Sequence, residues 1–485
     1  MSPVRLSQLL HRDLPVDPEI TGVTADSRRV GPGVLFAALP GVARDGADFA
    51  PQAVAAGAAA VLCSRDLPGL GVPVIVSADP RRAYALAASA FHGRQPEVVV
   101  AVTGTNGKTS VAGFRRQIAA ASGRLSASMG TLGLLVSGPG REDLALTPPG
   151  LTTPDAGDVA AQLADLADRG VTDLALEASS HGIDQRRLDG VRLSAAAFLN
   201  LTQDHLDYHG DMASYQAAKL RLFDTLLPRG APAVLNADSP AFPAFAAAAT
   251  LAGADLITFG EAGRDLKLAG RAPRPGGQVL TLEHAGRTWR VDLPLAGAFQ
   301  AMNALAAAGL GLAIGETPEE IFAALEQLKG APGRLQHVGS GPRGGEAYVD
   351  YAHTPDGLET VLTALRPHAS GRLILVFGAG GDRDRTKRPL MGELAARLAD
   401  LAIVTDDNPR SEDPAAIRAE VRAGGAGLRD IGDRREAIRS AVSELREGDI
   451  LVVAGKGHEQ GQTIAGVVHP FDDVAETRAA LEGRS

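Results

Sequence analysis

The stretch VVVAVTGTNGKTS, residues 98–110, decides the fold of this chain. Its β-branched start is typical of a buried strand, and the glycine-rich turn that follows ends in Lys108-Thr109. In such a turn, glycines let backbone N–H groups converge on phosphate oxygens, the next helix contributes its positive dipole end, and the lysine adds a point charge. The stretch therefore predicts a phosphate pocket for ATP or a close relative at a strand-to-helix turn.

The spacing of this turn departs from the usual G-x-x-x-x-G-K-[ST] pattern. Val102 stands where the first glycine would be, and the turn relies on Gly104 and Gly107 instead. In a chain with 57 glycines, a chance match is the alternative.

Lysine is scarce in this chain, where arginine is the usual basic residue. Lysine and arginine together number 48, and only six of these residues are lysine: Lys108, Lys219, Lys267, Lys329, Lys387 and Lys456. An ammonium or a nucleophilic amine does what a guanidinium cannot, so these positions are candidates for chemistry.

Length and composition restrict the class of protein. A chain of 485 residues is too long for one compact core and predicts roughly three domains. A formal net charge of −9 argues against a nucleic-acid partner. The single Cys63 excludes an intrachain disulfide framework and fits a reducing cytosol, and residues 1–15 do not resemble a signal peptide, so we expect a cytoplasmic protein.

One apolar stretch, residues 295–315, is long enough to span a bilayer. Gln300 and Asn303 lie inside it, and it is rich in alanine and glycine. This composition favours a buried helix over a membrane span.

The order of apolar runs predicts an α/β fold with three domains. Residues 1–95 read as a small N-terminal α/β domain, residues 96–331 as a central ATPase domain with a mostly parallel sheet, and residues 332–485 as a C-terminal Rossmann-like domain. In the last two, each apolar strand stops at a polar, glycine-rich loop, and open parallel sheets bind ligands at those strand ends.

Three polar features of the central domain follow strands or lie near them. Glu177 ends an apolar strand, His205 lies in NLTQDHLDYHG (200–210), and Lys219 lies in a helical stretch. Glu177 and His205 offer the donors that a divalent ion beside phosphates would use. The alternatives are a solvent-exposed loop acid for Glu177 and a solvated surface lysine for Lys219.

In the last domain, GGDRDRTKRP and TDDNPR concentrate charge after strands. An arginine in such a loop can form a bidentate pair with a carboxylate. Gly378 and Gly380 begin a G-x-G pattern and Asp406 closes the next strand, but position 383 is arginine instead of the third glycine, so a dinucleotide site is only weakly indicated.

Seven motifs in order resemble the Mur ligases of bacterial cell-wall synthesis, and within them the MurE type. They are GTNGKTS, EASSHG, YHGDMASYQAAK, DYAHTPD, GGDRDRTKRP, DNPR and GKGHE, and the resemblance runs from Asp26 to Glu459. It implies an N-terminal unit that holds a uridine nucleotide, a central ATPase and a C-terminal domain that binds the incoming amino acid. It also implies ATP and Mg²⁺ as cofactors, small-molecule substrates and a monomer.

The resemblance assigns roles to individual residues. The uridine contact would be Ser27, and the muramoyl-peptide contacts would be Asn106, Thr152, Thr153, Ser179, Gln185 and Arg187. The ATP-binding residues would be Gly104, Thr105, Asn106, Gly107, Lys108, Thr109 and Ser110, with Asn303, Arg334 and Asp350 at the adenine and ribose. The diamino-acid contacts would be Arg383, Asp407, Asn408, Pro409, Arg410, Gly455 and Glu459. The catalytic residues would be Lys108, Lys219, Glu177 and His205; Thr109, Glu177 and His205 would serve magnesium, together with Lys219 as a carbamate.

Two positions depart from the family pattern. Val42 replaces a histidine and Gln300 replaces an asparagine, which leaves one uridine contact and one adenine contact open.

The implied reaction is the ATP-dependent addition of meso-diaminopimelate to UDP-MurNAc-L-Ala-D-Glu through an acyl phosphate. Arg410 would pair with the far carboxylate of meso-diaminopimelate, because an ammonium from lysine or ornithine would meet a like charge at a cost of about 2–5 kcal/mol. Asp406 and Asp407 keep lysine and ornithine open as alternatives. Two further alternatives are a folylpolyglutamate synthetase-like ligase and a non-enzymatic ATP-binding module.

Overall fold

The computed structural model describes residues 3–41, 44–139, 143–148 and 150–484. By contact density the chain forms two compact units, one of residues 1–266 with 305–321 and the other of residues 267–304 with 322–485. The secondary structure is α/β throughout, as the sequence predicts. The domain boundaries near residues 95 and 331 stay predictions.

The first unit begins with a four-stranded parallel sheet in the order β3-β4-β5-β6. Leu35 and Leu62 pack on one face of this sheet with Tyr84, and Phe36 and Val61 pack on the other. The elements are β1 (Val4–Arg5), α1 (Leu6–Leu10), β2 (Glu19–Ile20), β3 (Gly22–Thr24), β4 (Val34–Ala37), α2 (Ala50–Ala55), β5 (Ala60–Cys63), β6 (Val74–Val76) and α3 (Pro80–His92).

The same unit then forms a larger sheet around the strand of the opening motif. The elements are β7 (Val98–Thr103), α4 (Lys108–Ala121), β8 (Ser126–Gly130), β9 (Gly133–Ser137), β10 (Leu144–Thr147), α5 (Ala156–Asp168), β11 (Asp173–Glu177), α6 (Ser180–Asp184), β12 (Ala195–Phe198), α7 (Leu206–His209), α8 (Met212–Arg221), β13 (Pro232–Asn236), α9 (Phe242–Ala252) and β14 (Asp255–Gly260). The strand order is β10-β9-β8-β11-β7-β12-β13-β14, and the strands from β8 to β14 in this order are parallel.

Both faces of β7 are buried, which explains its unbroken apolar run. Val99 and Ala101 pack into a core with α5, α6 and α9. Val100 and Val102 are also fully buried, and they lie on the opposite face because side chains alternate along a strand. The chain crosses from one side of β7 to the other after β11, so the carboxyl end of β7 is the switch point where open α/β sheets bind ligands.

The second unit begins with an antiparallel meander and ends with a six-stranded sheet in the order β18-β19-β23-β20-β21-β22. All neighbours in this sheet are parallel except β18. The remaining elements are β15 (Leu266–Arg274), β16 (Gly277–His284), β17 (Arg287–Leu293), α10 (Ala298–Ala313), α11 (Pro318–Leu325), β18 (Gln336–Ser340), β19 (Glu346–Asp350), α12 (Pro355–Leu365), β20 (Leu373–Phe377), α13 (Lys387–Leu398), β21 (Leu401–Val404), α14 (Pro414–Arg422), β22 (Arg429–Asp430), α15 (Arg434–Glu444), β23 (Ile450–Ala454), β24 (Gly461–Ile464), β25 (Val467–Pro470) and α16 (Asp473–Leu481).

Helices cover both faces of this sheet. Leu375 and Val452 lie in the core that includes α12, α13 and α14, whereas Val376 and Val453 lie in the core that includes α15. The sheet therefore has the doubly wound form that the sequence predicts.

The apolar stretch at residues 295–315 forms the buried helix α10, in which Gln300 is 0% and Asn303 is 6% exposed. The two side chains are hydrogen-bonded to each other, since Asn303 Nδ2 donates to Gln300 Oε1 at 3.2 Å. Across the described ranges, no helix is both long and apolar enough to cross a membrane.

Candidate active site

The glycine-rich turn joins β7 to α4 at the carboxyl edge of the larger sheet. Gly107 has a φ of 90°, which favours glycine, and precedes the first helical residue, Lys108. A Cβ on Gly104 would lie 2.9 Å from Leu199 Cβ, so the turn needs glycine here for a close approach. Asn200 holds the turn, since its Oδ1 accepts from the Asn106 N–H at 2.9 Å. Thr105 and Ser110 are buried, whereas Asn106 is exposed.

Two lysines converge on one carbonyl of this turn. Lys108 Nζ donates to the Gly104 carbonyl at 2.8 Å and to the Thr105 carbonyl at 2.9 Å. Lys219 Nζ donates to the same Gly104 carbonyl at 2.9 Å. Lys219 is 1% exposed, so its alternative interpretation as a surface lysine is wrong. Burial, with the neighbouring positive charge of Lys108, holds the pKa of Lys219 well below its usual range.

Glu177 is buried beside the turn. It ends β11 in register with Val102 and is 3% exposed, so the interpretation as an exposed loop acid is wrong. Its carboxylate accepts from Thr109 Oγ1 at 3.0 Å and from the Thr131 N–H at 2.9 Å. Burial raises the pKa of Glu177, and the charge of Lys108 opposes this. No sequence motif indicated that Thr131 would lie next to Glu177.

His205 lies in an exposed loop with a φ of 53°. Its ring is 4.8 Å from the ring of His181, which is 5.5 Å from that of His209. Among the described residues, no three His, Cys, Asp or Glu side chains are placed to hold a metal ion. Thr109 and Glu177 do present two hard oxygens 3.0 Å apart, which fits a magnesium ion that takes its other ligands from phosphates and water.

Five of the six residues assigned to the muramoyl peptide, all except Asn106, form one hydrogen-bonded network next to Glu177. Thr153 Oγ1 donates to the Glu177 carbonyl at 2.8 Å and lies 2.9 Å from Ser179 Oγ. Arg187 donates to the Thr153 carbonyl at 2.6 Å and to Gln185 Oε1 at 2.7 Å. Thr152 joins through Thr131, with 3.0 Å between their hydroxyls.

Ser27 lines a cavity of about 430 Å³ in the first unit. Arg28, Phe36 and Phe49 line the same cavity, and so does Asp158, which pairs with Arg29 at 2.8 Å. An aromatic and polar lining of this size suits a nucleoside. Val42 lies outside the described residues.

The residues assigned to adenine and ribose lie in the second unit. Asn303 connects to Arg334 through Gln300, whose Nε2 donates to the Arg334 carbonyl at 3.4 Å. The Arg334 guanidinium lies 4.9 Å from the centre of the Tyr351 ring. Asp350 accepts from the N–H groups of Leu335 and Ala352 at 2.6 and 2.8 Å, and burial raises its pKa. Gln300 is therefore part of the network despite its departure from the family pattern.

The residues assigned to the diamino acid meet at the carboxyl edge of the six-stranded sheet. Asn408 Nδ2 donates to Glu459 Oε2 at 2.9 Å. Arg410 has a φ of 53° and donates to the Gly381 carbonyl at 2.7 Å. A Cβ on Gly455 would lie 2.4 Å from Asp407 Oδ2, and Pro409 is buried. Arg383 is exposed, and its Cγ lies 3.9 Å from the point that a Cβ on Gly380 would occupy, a point that is 2.8 Å from Arg410 Nη1.

Asp406 cannot offer a free carboxylate to an ammonium, because it pairs with Arg418. Asp407 differs, since its buried Oδ2 has no hydrogen-bond partner among the described residues. Lys456 received no role from the family resemblance, although the scarcity of lysine in this chain made it a candidate. It is 0% exposed, and its Nζ donates to Asn408 Oδ1 at 3.0 Å.

Three family models match the chain in succession. They describe the Mur ligase family catalytic domain at residues 19–103, the Mur ligase middle domain at residues 102–311 and the glutamate ligase domain of Mur ligases at residues 333–457.

Curated relatives match over almost the whole length. The UDP-N-acetylmuramoyl-L-alanyl-D-glutamate–2,6-diaminopimelate ligase of Caulobacter vibrioides is 68% identical over 480 residues, which cover 99% of each chain. The Agrobacterium fabrum enzyme of the same name is 54% identical and covers 96% of this chain and 93% of its own. A solved structure of a ligase with that name matches with a TM-score of 0.79 at 35% identity, covering 99% of both chains.

Proposed function

We propose that this chain, which belongs to the Mur ligase family, is an ATP-dependent amide ligase that adds meso-diaminopimelate to the D-glutamyl side chain of UDP-MurNAc-L-Ala-D-Glu in peptidoglycan synthesis. The observation that carries the proposal is the buried group at the carboxyl ends of β7 and β11, where Thr109 bonds Glu177 and two lysines share the Gly104 carbonyl.

Ligation needs activation because a carboxylate and an amine at neutral pH form a salt instead of an amide. A D-glutamyl carboxylate oxygen attacks the γ-phosphorus of ATP, the bond from that phosphorus to the β–γ bridging oxygen breaks, and ADP leaves. The neutral amine of the diamino acid then attacks the acyl carbon, the bond to the phosphate oxygen breaks, and phosphate leaves as the amine loses a proton. Positioning and charge stabilisation supply most of the catalysis in phosphoryl transfer.

The glycine-rich turn and the residues next to it supply both positioning and charge stabilisation. Lys108 places an ammonium at the head of α4, where it can compensate charge on the transferring phosphoryl group. The hydrogen-bonded side chains of Thr153, Ser179 and Arg187 would orient the muramoyl peptide beside Glu177. Thr109 and Glu177 would hold a magnesium ion, with His205 and Lys219 as further predicted contacts. When bound, magnesium neutralises phosphate charge and orients its oxygens.

The environment of Lys219 fits the predicted carbamate. A carbamate forms from a neutral amine and CO₂, and burial favours the neutral amine by lowering the pKa of Lys219. Carbamylation turns this amine into an anion next to the Lys108 ammonium, and the two opposite charges attract each other. Arginine, which stays protonated, cannot take this role.

The choice of diamino acid rests on Arg410 and its neighbours. Arg410 and Asn408 offer donors for the far carboxylate of meso-diaminopimelate, and Asp407 and Glu459 offer acceptors for an ammonium. Asp406 and Asp407 are the two acids that could have received the ammonium of lysine or ornithine. Because Asp406 is paired with Arg418, its charge is already neutralised. The exposed Arg383 stays a predicted contact.

The test is phosphate release by purified protein with ATP, magnesium and UDP-MurNAc-L-Ala-D-Glu, comparing meso-diaminopimelate, L-lysine and L-ornithine. We expect release only with the muramoyl substrate and fastest with meso-diaminopimelate. Lys108→Ala should abolish it, whereas Lys267→Ala, at an exposed pair with Glu283, should not. Preference for lysine or ornithine would refute the role of Arg410, and folate-dependent turnover or binding of ATP without amide formation would refute the proposed reaction. A monomeric state and a cytoplasmic location stay predictions.

A further inference from the structure

Lys456 is a fully buried ammonium in the amino-acid-binding part of the second unit. It follows β23 and is 0% exposed. Its Nζ lies 3.0 Å from Asn408 Oδ1 and 3.5 Å from Glu459 Oε2. Taking an ammonium out of water is costly, so such a group persists where its partners compensate it.

The first consequence of Lys456 is the orientation of the Asn408 amide. Asn408 Oδ1 accepts from Lys456 Nζ and from the Thr463 N–H at 2.9 Å, while Nδ2 donates to Glu459 Oε2 at 2.9 Å. In the turned amide, the NH₂ group would face two donors and the oxygen would face a carboxylate. The three partners therefore select one orientation, in which Nδ2 donates one of its two hydrogens to Glu459.

The second consequence is charge balance. Asp407, Glu459 and Asp473 bring three carboxylates to this region, and Lys456 and Arg434 bring two cations. Burial lowers the pKa of Lys456, while the charges of Asp407 and Glu459 oppose the shift. Without the ammonium of Lys456, Glu459 would lose a cation 3.5 Å away, and the negative charges of the three carboxylates would be less compensated.

Residues 456–465, the segment that begins with Lys456, also form hydrogen bonds to the backbone of the loop that carries Asn408. Gln462 Nε2 donates to the Asp407 carbonyl at 2.8 Å. The Arg410 N–H donates to the Thr463 carbonyl at 3.0 Å, and the Ala465 N–H donates to the Arg410 carbonyl at 2.7 Å. Residues 456–465 thus hold both the amide of Asn408 and the backbone of Arg410.

We propose that Lys456 is a positioning residue for the incoming diamino acid: it fixes the Asn408 amide and the Glu459 carboxylate in the orientation that receives this substrate. The inference rests on the proposed ligase function, since it concerns the amino-acid site of that reaction. Lys456 acts through Asn408 and Glu459.

The test is the effect of Lys456→Met on the three Michaelis constants. Because a hydrogen bond to a charged donor is lost, the KM for the preferred diamino acid should rise at least ~tenfold. The KM values for ATP and UDP-MurNAc-L-Ala-D-Glu should change less than about twofold, as should all three values in the control Lys267→Met. Lys456→Gln, which keeps a neutral donor, provides a second variant if the methionine variant does not fold.

A double-mutant cycle with Asn408→Ala separates positioning from general damage. Because Lys456 acts in part through Asn408, the effects of Lys456→Met and Asn408→Ala on the KM for the diamino acid should be less than additive. Full additivity, or an equal rise in all three KM values, overturns the inference while leaving the ligase function intact. If the unaltered chain ligates no diamino acid, the proposed function fails first, and the role of Lys456 fails with it.

Discussion

Removing one partner of the buried pair of Arg434 and Asp473 should strongly destabilise the second unit. Both side chains are 0% exposed, and they form a bidentate pair with two N–O distances of 2.7 Å. Arg434 also donates to the Ala454 carbonyl at 2.9 Å. Asp473→Leu would leave a guanidinium buried without its counter-ion, so we expect the free energy of unfolding to fall by about 3–5 kcal/mol.

Urea unfolding measures this effect. With a denaturant slope of about 2–3 kcal/mol per molar, the unfolding midpoint should fall by roughly 1–2.5 M. The only tryptophan of the chain, Trp289, lies in β17 of the second unit, 5.0 Å from the ring of Phe322, so its fluorescence reports on this unit. Because Ala454 precedes Gly455 and Lys456, the KM for the diamino acid should rise as well.

The matched control is the double variant Arg434→Met with Asp473→Leu. Replacing both charges by apolar side chains removes the uncompensated cation, so it should recover most of the lost stability. A midpoint for Asp473→Leu that stays within error of the unaltered chain would refute the reasoning, because the guanidinium would then have another way to be stabilised.

Four further changes test the site. Glu177→Gln should lower kcat by about 100-fold or more, as loss of a preorganised charge does. Because burial raises the pKa of Glu177 in the folded state, the ionised carboxylate lowers the stability of the folded protein above that pKa. Urea midpoints should therefore show the variant to be more stable than the unaltered protein at about pH 8, with a smaller gain at about pH 4. Gly130→Ala should lower kcat at least ~tenfold without touching a reacting group, because its Cβ would lie 1.9 Å from Glu177 Oε1 and must displace the carboxylate; an unchanged kcat would show that the position of Glu177 matters little. Ser27→Phe should raise the KM for the muramoyl substrate by about tenfold through filling of the 430 Å³ cavity, and equal changes in the KM for ATP would contradict this. Lys219→Arg should lose ligation with ATP binding retained, and ligation by the unaltered protein should fall when bicarbonate is removed; full activity of the arginine variant would exclude a carbamate.

The sequence predicted the sheet architecture because burial on both faces leaves a direct signal. The run VVVAV at residues 98–102 has no polar alternation, and β7 is covered on both faces. The same logic placed Glu177 at a strand end. It could not decide whether Glu177 was buried, because that depends on Gly130, which ends the different strand β8, and on Thr131, which follows it; both approach Glu177 only in the folded chain.

The diamino-acid group shows a second limit. The sequence marked Lys456 as unusual, but its partner Asn408 lies 48 positions away, and no local pattern connects them. Gln300 shows the opposite case: the departure from the family pattern raised doubt, yet its longer side chain reaches both Asn303 and the backbone of Arg334. Side-chain pairs across a fold are settled by packing, which a pattern of residue types does not encode.

The unequal environments of the six lysines have a practical consequence for experiments. Lys219 and Lys456 are enclosed, Lys108 and Lys387 are partly covered, and Lys329 and Lys267 lie toward solvent. An amine-reactive reagent applied to the native protein should therefore modify a handful of peptides at well-separated rates. Peptide mass spectrometry could then follow each lysine separately, and protection of Lys108 by nucleotide could be read against Lys329 as an internal reference in the same spectrum.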